Sequence, residues 1–162
     1  MTGIIRHAPA GYDCPFCHLA RGGANAFTSQ DDLVYCDDEV IAFISLDWYA
    51  STPGHVLVTP VVHYEHVYEL PDALAGPIQR VVARVARAMK VAYGCTGVSI
   101  NQNNEPDGNQ DVWHYHTHVI PRFAGDRKGR EPFERTTPAQ RAPYVTVLRK
   151  ALGWSPADGT PR

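Results

Sequence analysis

Histidine occupies every second position of the run Trp113-His114-Tyr115-His116-Thr117-His118-Val119. A strand sends successive side chains to opposite faces, so an extended chain here puts His114, His116 and His118 on one side. Tyr115, Thr117 and Val119 then face the other way, together with Trp113. Adjacent imidazoles make poor core, because buried ring nitrogens need partners. The run therefore predicts a strand over 112–120, stopped by Pro121, whose histidine face opens on a cleft or a ligand.

The rest of the chain supplies partners for that strand. Short apolar runs bounded by turn residues predict strands at 33–36, 40–44, 55–59 and 97–102. Residues 47–54 read as a connection ending in the turn pair Pro53-Gly54. One long helix is expected over 71–93. Pro71 suits its first turn, Leu74, Ile78, Val81, Val85, Met89 and Ala92 form an apolar stripe, and Gly94 ends it. Arg80, Arg84, Arg87 and Lys90 take much of the opposite face. A shorter helix is expected near 139–151. With no repeat and no linker, the 162 residues read as one α+β domain over 1–162 with a mostly antiparallel sheet.

Charge narrows the partners. Fifteen Lys and Arg stand against seventeen Asp and Glu, a formal net charge of -2. Nothing in that balance argues for a polyanion-binding surface, although it leaves room for a local basic pocket, and no nucleic-acid partner is expected. No apolar run is long enough for a membrane span and no leader is evident, so no membrane partner is expected and the expected location is cytoplasmic.

Imidazole can act as nucleophile, base or cation near neutral pH. A phosphorus centre suits all three roles: one ring attacks, another binds non-bridging oxygens, and the third orients its neighbour. The amide-rich loop from Asn103 to Gln110 lies just upstream and can close a phosphate pocket. A catalytic zinc held by the three histidines and a functionless surface row are the competing readings. Cys14-x-x-Cys17 reads as metal or redox chemistry, or as two ordinary thiols. His18, His63 and His66 lie within reach in sequence as further ligands.

The run from Gln110 to Arg122 resembles the signature of the histidine triad family. Phe43 to Asp47, followed by Pro53-Gly54-His55-Val56-Leu57-Val58-Thr59-Pro60, resembles that family's second block. The long helix and the Asn-rich loop follow in the same order, so the resemblance covers about 14–128 and leaves a C-terminal extension. It implies a curved five-stranded antiparallel sheet with one long helix and short flanking helices. It also implies a homodimer that hydrolyses or transfers nucleotides at the α-phosphate, on substrates such as adenosine phosphoramidates or dinucleoside polyphosphates. The alternative is a nucleotide-binding regulatory dimer with little turnover.

Residue by residue, the resemblance makes His116 the nucleophile that becomes nucleotidylated, places His118 at the phosphate oxygens, and makes His55 a support behind them. Asn103 and Gln110 match amides near the phosphate, Asp47 matches a residue facing the ribose hydroxyls, and Phe43 a wall of the base pocket. The base is expected to be a purine. Arg122 is a candidate for a distal phosphate. Asp111 departs from the family's usual serine and brings a carboxylate to the leaving-group side. Bacterial members with the same cysteine pair imply a structural zinc on Cys14, Cys17, His63 and His114.

Overall fold

The computed structural model describes residues 5–157. Residues 1–4 and 158–162 of the expected domain lie outside the described residues. Strands β1 (Leu33–Cys36), β2 (Val40–Ile44), β4 (Val56–Pro60), β5 (Gly97–Gln102) and β6 (Thr117–Arg122) form a five-stranded antiparallel sheet in the order β1-β2-β4-β6-β5. Two three-residue strands, β3 (Asp47–Tyr49) and β7 (Phe133–Arg135), make a separate ladder. The helices are α1 (Pro15–Ala20), α2 (Asp72–Tyr93) and α3 (Pro138–Leu152).

Period-two alternation divides the buried strands between two cores. Ala42, Ile44, Val56, Val58 and Val119 point to α2, where they meet Ile78, Val82, Val85 and Met89. Ile41, Phe43 and Leu57 point to the other side, where α1 and Trp154 cover them with Phe16 and Leu19. Burying each such large side chain is worth roughly 1.5–3 kcal/mol. The stripe anticipated on the long helix is thus the half of it that faces the sheet. Gly94 caps that helix in the left-handed conformation, as its position predicts. Among the described residues, no helix is long and apolar enough to cross a membrane.

Several expectations need correction. The sheet is not strongly curled, contrary to the curvature expected from the resemblance. Its ladders β2/β4, β4/β6 and β5/β6 run in unbroken register, and the one irregularity lies between Leu33 and Tyr35 at the β1 edge. Bulges are what bend a sheet, and this one has little to bend it. The histidine strand also starts later than 112. His114 N–H donates to Val112 O at 2.8 Å and Tyr115 N–H to Tyr64 O at 2.6 Å, so the chain reaches the ladder only at Thr117. The strand passes through Pro121, which pairs with Val98. The β4 ladder has already ended at Val119, so the imide nitrogen costs the sheet little there. The 47–54 connection contains β3, and the helix near 139–151 is a full fifteen residues.

Candidate functional site

A cavity of about 260 Å³ opens between the α1 side of the sheet and the β3/β7 ladder. His116, His118 and Asp111 line it, together with the rings of Phe16 and Phe43 and the side chains of Asp47 and Arg135. The register pair Leu57↔His118 brings the last histidine onto the cavity face, because both residues occupy the side of the sheet away from α2.

The histidines are held in different ways. The His116 Nδ1 hydrogen donates to the His114 carbonyl at 2.7 Å. That bond leaves Nε2 as the unprotonated ring atom of the neutral imidazole. His116 is 2% exposed, so its ring is fixed by packing as well, with Phe16 edge-on at 5.3 Å. Asp111 Oδ1 stands 3.6 Å from His116 Nε2, too long for a good hydrogen bond and an ion pair only when the ring is protonated. The imidazole beside it holds the Asp111 carboxyl below its ordinary pKa.

His118 Nδ1 meets His55 Nε2 at 3.0 Å. The His55 ring also hydrogen-bonds the backbone of Asp47, so a chain of contacts joins the Asp47 turn to His118. Burial, reinforced by the neighbouring His118, drives the His55 pKa well below its usual value. Burial and then the charge of His116 push His118 down to about 4. His118 Nε2 is buried with no partner among the described residues. An orphaned polar atom at a cavity wall is a place for a ligand atom.

His114 does not share the cavity. It is fully buried, its Nε2 hydrogen donates to Pro60 O at 3.0 Å, and its Nδ1 lies 3.3 Å from Cys14 Sγ and 3.6 Å from Cys17 Sγ. Cys17 Sγ lies 3.3 Å from His63 Nδ1. The ligand atoms of Cys14, Cys17, His63 and His114 all fall within 4.8 Å of one another and can coordinate a metal ion. Tetrahedral sulfur and nitrogen ligands at ~2.3 and ~2.0–2.1 Å stand about 3.5 Å apart, which these separations match. The carbonyl on His114 Nε2 fixes the tautomer that presents Nδ1 to a metal. Pro15 starts α1 directly after Cys14, so both thiols sit in its first turn.

The remaining candidates are spread out. Phe43 packs edge-on to Phe16 at 5.1 Å on the cavity wall, and Asp47 is ion-paired with Arg135 at 2.6 Å. Gln110 is buried in the loop, accepting from Glu105 N–H and donating to Glu65 O. Asn103 donates to Asn109 O at 3.3 Å, and Arg122 is forked onto Asp126 at 2.6 and 2.7 Å. Gln110, Asn103 and Arg122 do not line the cavity. Sequence reasoning passed over Asn25, Phe27, Phe133 and Arg135, which do line it. Phe133 and Arg135 sit on a three-residue exposed strand without apolar periodicity, so no local signal marks them.

Residues 26–125 match the HIT domain family, well over half of the chain. The chain belongs to the HIT domain family. It is 38% identical over 118 residues to Protein hit of Bacillus subtilis, covering 72% of this chain and 77% of that protein. It is 28% identical to adenosine 5'-monophosphoramidase HNT1 of Saccharomyces cerevisiae, covering 75% and 72%. A zinc-bound histidine triad family protein from Mycobacterium smegmatis superposes with a TM-score of 0.69 at 29% identity, covering 87% of this chain and 94% of that one. The HIT domain match ends at residue 125, before β7 and α3.

Proposed function

We propose that this HIT domain protein hydrolyses or transfers a nucleotide at its α-phosphate through a covalent nucleotidyl-His116. The observation that carries the reading is the hydrogen bond from His116 Nδ1 to the His114 carbonyl, which leaves Nε2 free on a cavity wall. Nε2 attacks phosphorus, the bond to the leaving group breaks, and the leaving group departs with its electron pair. Water, or another acceptor, then attacks the nucleotidyl-imidazole and frees His116. His118 Nε2 is placed for a non-bridging oxygen, and the negative charge of that oxygen favours the protonated, donating ring. His55 holds His118 from behind. Asp47 accepts from the ribose hydroxyls, and Phe16 and Phe43 flank the base. The similarity to a monophosphoramidase favours an adenosine phosphoramidate as substrate.

The metal in this reading is a structural zinc on Cys14, Cys17, His63 and His114. With four protein ligands the ion would have no open position for water, so these residues would hold it as a structural tie on His114, whose carbonyl in turn orients the ring of His116, outside the chemistry. The protein acts as a homodimer in the cytoplasm, which sedimentation and fractionation check. One observation favours a slow, nucleotide-binding variant of the same reading: the Asp111 carboxylate beside Nε2 repels an incoming phosphate.

The test is turnover of adenosine 5'-phosphoramidate and of diadenosine polyphosphates by the wild type and by His116→Ala. His116→Ala is expected to lose about three orders of magnitude or more in kcat. Acid-quenched wild type should carry nucleotide on His116. Full activity in the alanine variant would overturn the nucleophile.

A further inference from the structure

Two residues that line the cavity, Phe133 and Arg135, lie beyond the HIT domain match. Strand β7 pairs with β3 in the register Asp47↔Arg135 and Tyr49↔Phe133. Arg135 forks onto Asp47, Nε to Oδ1 at 2.6 Å and Nη2 to Oδ2 at 3.2 Å. The same guanidinium lies over the Phe27 ring at 5.1 Å. Phe133 stacks on Tyr49 at 4.1 Å and is still 56% exposed, as is Phe27 at 57%. Phe27, Asp47, Phe133 and Arg135 all face the cavity.

This rim is anchored. Arg141, 1% exposed, donates to both Asp32 oxygens, to Thr136 O and to Phe27 O. Thr136 closes onto Leu46 O through its amide and its hydroxyl, at 2.9 and 2.6 Å. The extension therefore fixes both sides of the cavity mouth, the Phe27 loop and the Asp47 turn. A carboxylate has about four lone-pair sites, and an arginine fork takes two of them on one edge. The other edge remains free to accept from a pair of vicinal hydroxyls, with its direction already set. The exposed rings of Phe27 and Phe133, which line the same cavity, offer flat apolar surface to a base.

We propose that the extension determines nucleotide specificity: Arg135 is a positioning residue that aims Asp47 at a ribose diol, and Phe133 supplies a wall for the nucleoside. The proposal rests on the nucleotide reading above. The backbone of Asp47 hydrogen-bonds His55, and His55 meets His118, so the sugar end and the phosphate end share one chain of contacts.

The experiment measures binding of AMP and of 2'-deoxy-AMP by calorimetry on the full chain, together with KM and kcat for adenosine 5'-phosphoramidate. The proteins are the wild type, Arg135→Ala, Arg135→Lys and Phe133→Ala. The wild type is expected to prefer AMP over the deoxy form. Arg135→Ala should lose roughly tenfold on AMP and far less on 2'-deoxy-AMP, with the effect in KM rather than kcat. Arg135→Lys should recover part of the preference, and it keeps the charge if the alanine disturbs the β3/β7 ladder. Phe133→Ala should weaken both nucleotides alike. An unchanged ribo-to-deoxy ratio in Arg135→Ala, or tighter AMP binding there, overturns the positioning role. Unchanged affinity in Phe133→Ala overturns the wall. A wild type that binds both nucleotides equally overturns the inference and leaves the nucleotide reading standing. A wild type that binds neither overturns both.

Discussion

His116 and His114 are neighbours along one face, yet their surroundings give them opposite tautomers. His116 spends its Nδ1 hydrogen on a carbonyl and offers Nε2, while His114 spends its Nε2 hydrogen and offers Nδ1. Asp111 sets the charge in front of the offered Nε2. Asp111→Ser removes a carboxylate that competes with phosphate, so kcat/KM for adenosine 5'-phosphoramidate is expected to rise severalfold; a fall would show that the carboxylate assists the reaction. His55 and His118 are expected to contribute to acid sensitivity. Both have lowered pKa values in the folded chain and are neutral there, whereas an unfolded histidine titrates near ~6.5. Below that pH the unfolded chain binds more protons, so their contribution is full above about 6.5 and is lost as pH falls toward about 4 for His118. Each histidine adds a slope of up to about 1.4 kcal/mol per pH unit in that window. Denaturant melts at pH 7 and pH 5 should show the loss, and His118→Asn should flatten it.

Among the described glycines, Gly54 in the turn into β4 is the most closely surrounded. Gly54 has φ 81°, and a Cβ there would stand 2.6 Å from the Tyr144 ring and 2.8 Å from the Tyr93 hydroxyl. Gly54→Ala is therefore expected to cost roughly 2–4 kcal/mol, from the left-handed backbone and from overpacking between α2 and α3. Equilibrium unfolding measures it, and an alanine variant as stable as the wild type would show that the two tyrosines give way freely. The turn pair Pro53-Gly54 was legible in the sequence, as were the strands with strong alternation and the helix with its stripe. The start of the histidine strand was not. Period-two patterning places Tyr115 and Val119 in the α2 core, and the chain honours that. It cannot reveal that His114 is drawn toward Cys14, one hundred residues earlier, and that the ladder waits until Thr117. Strands β3 and β7 escaped notice for a related reason: three residues hold too few side chains for a period, and their pairing joins segments 88 residues apart. The triad and the cysteine pair were readable because they are dense local patterns. Arg135 was not, because its meaning lies in Asp47.

At the scale of the molecule, the Cys14, Cys17, His63 and His114 cluster, which could coordinate a metal ion, joins α1 to the loop after β4 and to the histidine run. On the zinc reading proposed above, loss of the ion is expected to reach His116 through His114. Protein as purified should hold about one zinc per chain by elemental analysis. Stripping it with a chelator should lower the melting temperature by on the order of ten degrees and reduce turnover, and readdition should restore both. A stripped protein with unchanged melting would mean that the four side chains pack adequately without metal. The α3 segment and the β3/β7 ladder also join distant parts of the sequence. Asp32 meets Arg141 and Asp47 meets Arg135, so early residues wait for late ones. A chain still being synthesised has all three triad histidines outside the ribosome well before it has a complete cavity mouth. Phe133, Arg135 and Arg141 follow the triad in sequence, so a product cut after residue 125 would keep His114, His116 and His118 and lack the side chains that pair with Asp47 and Asp32.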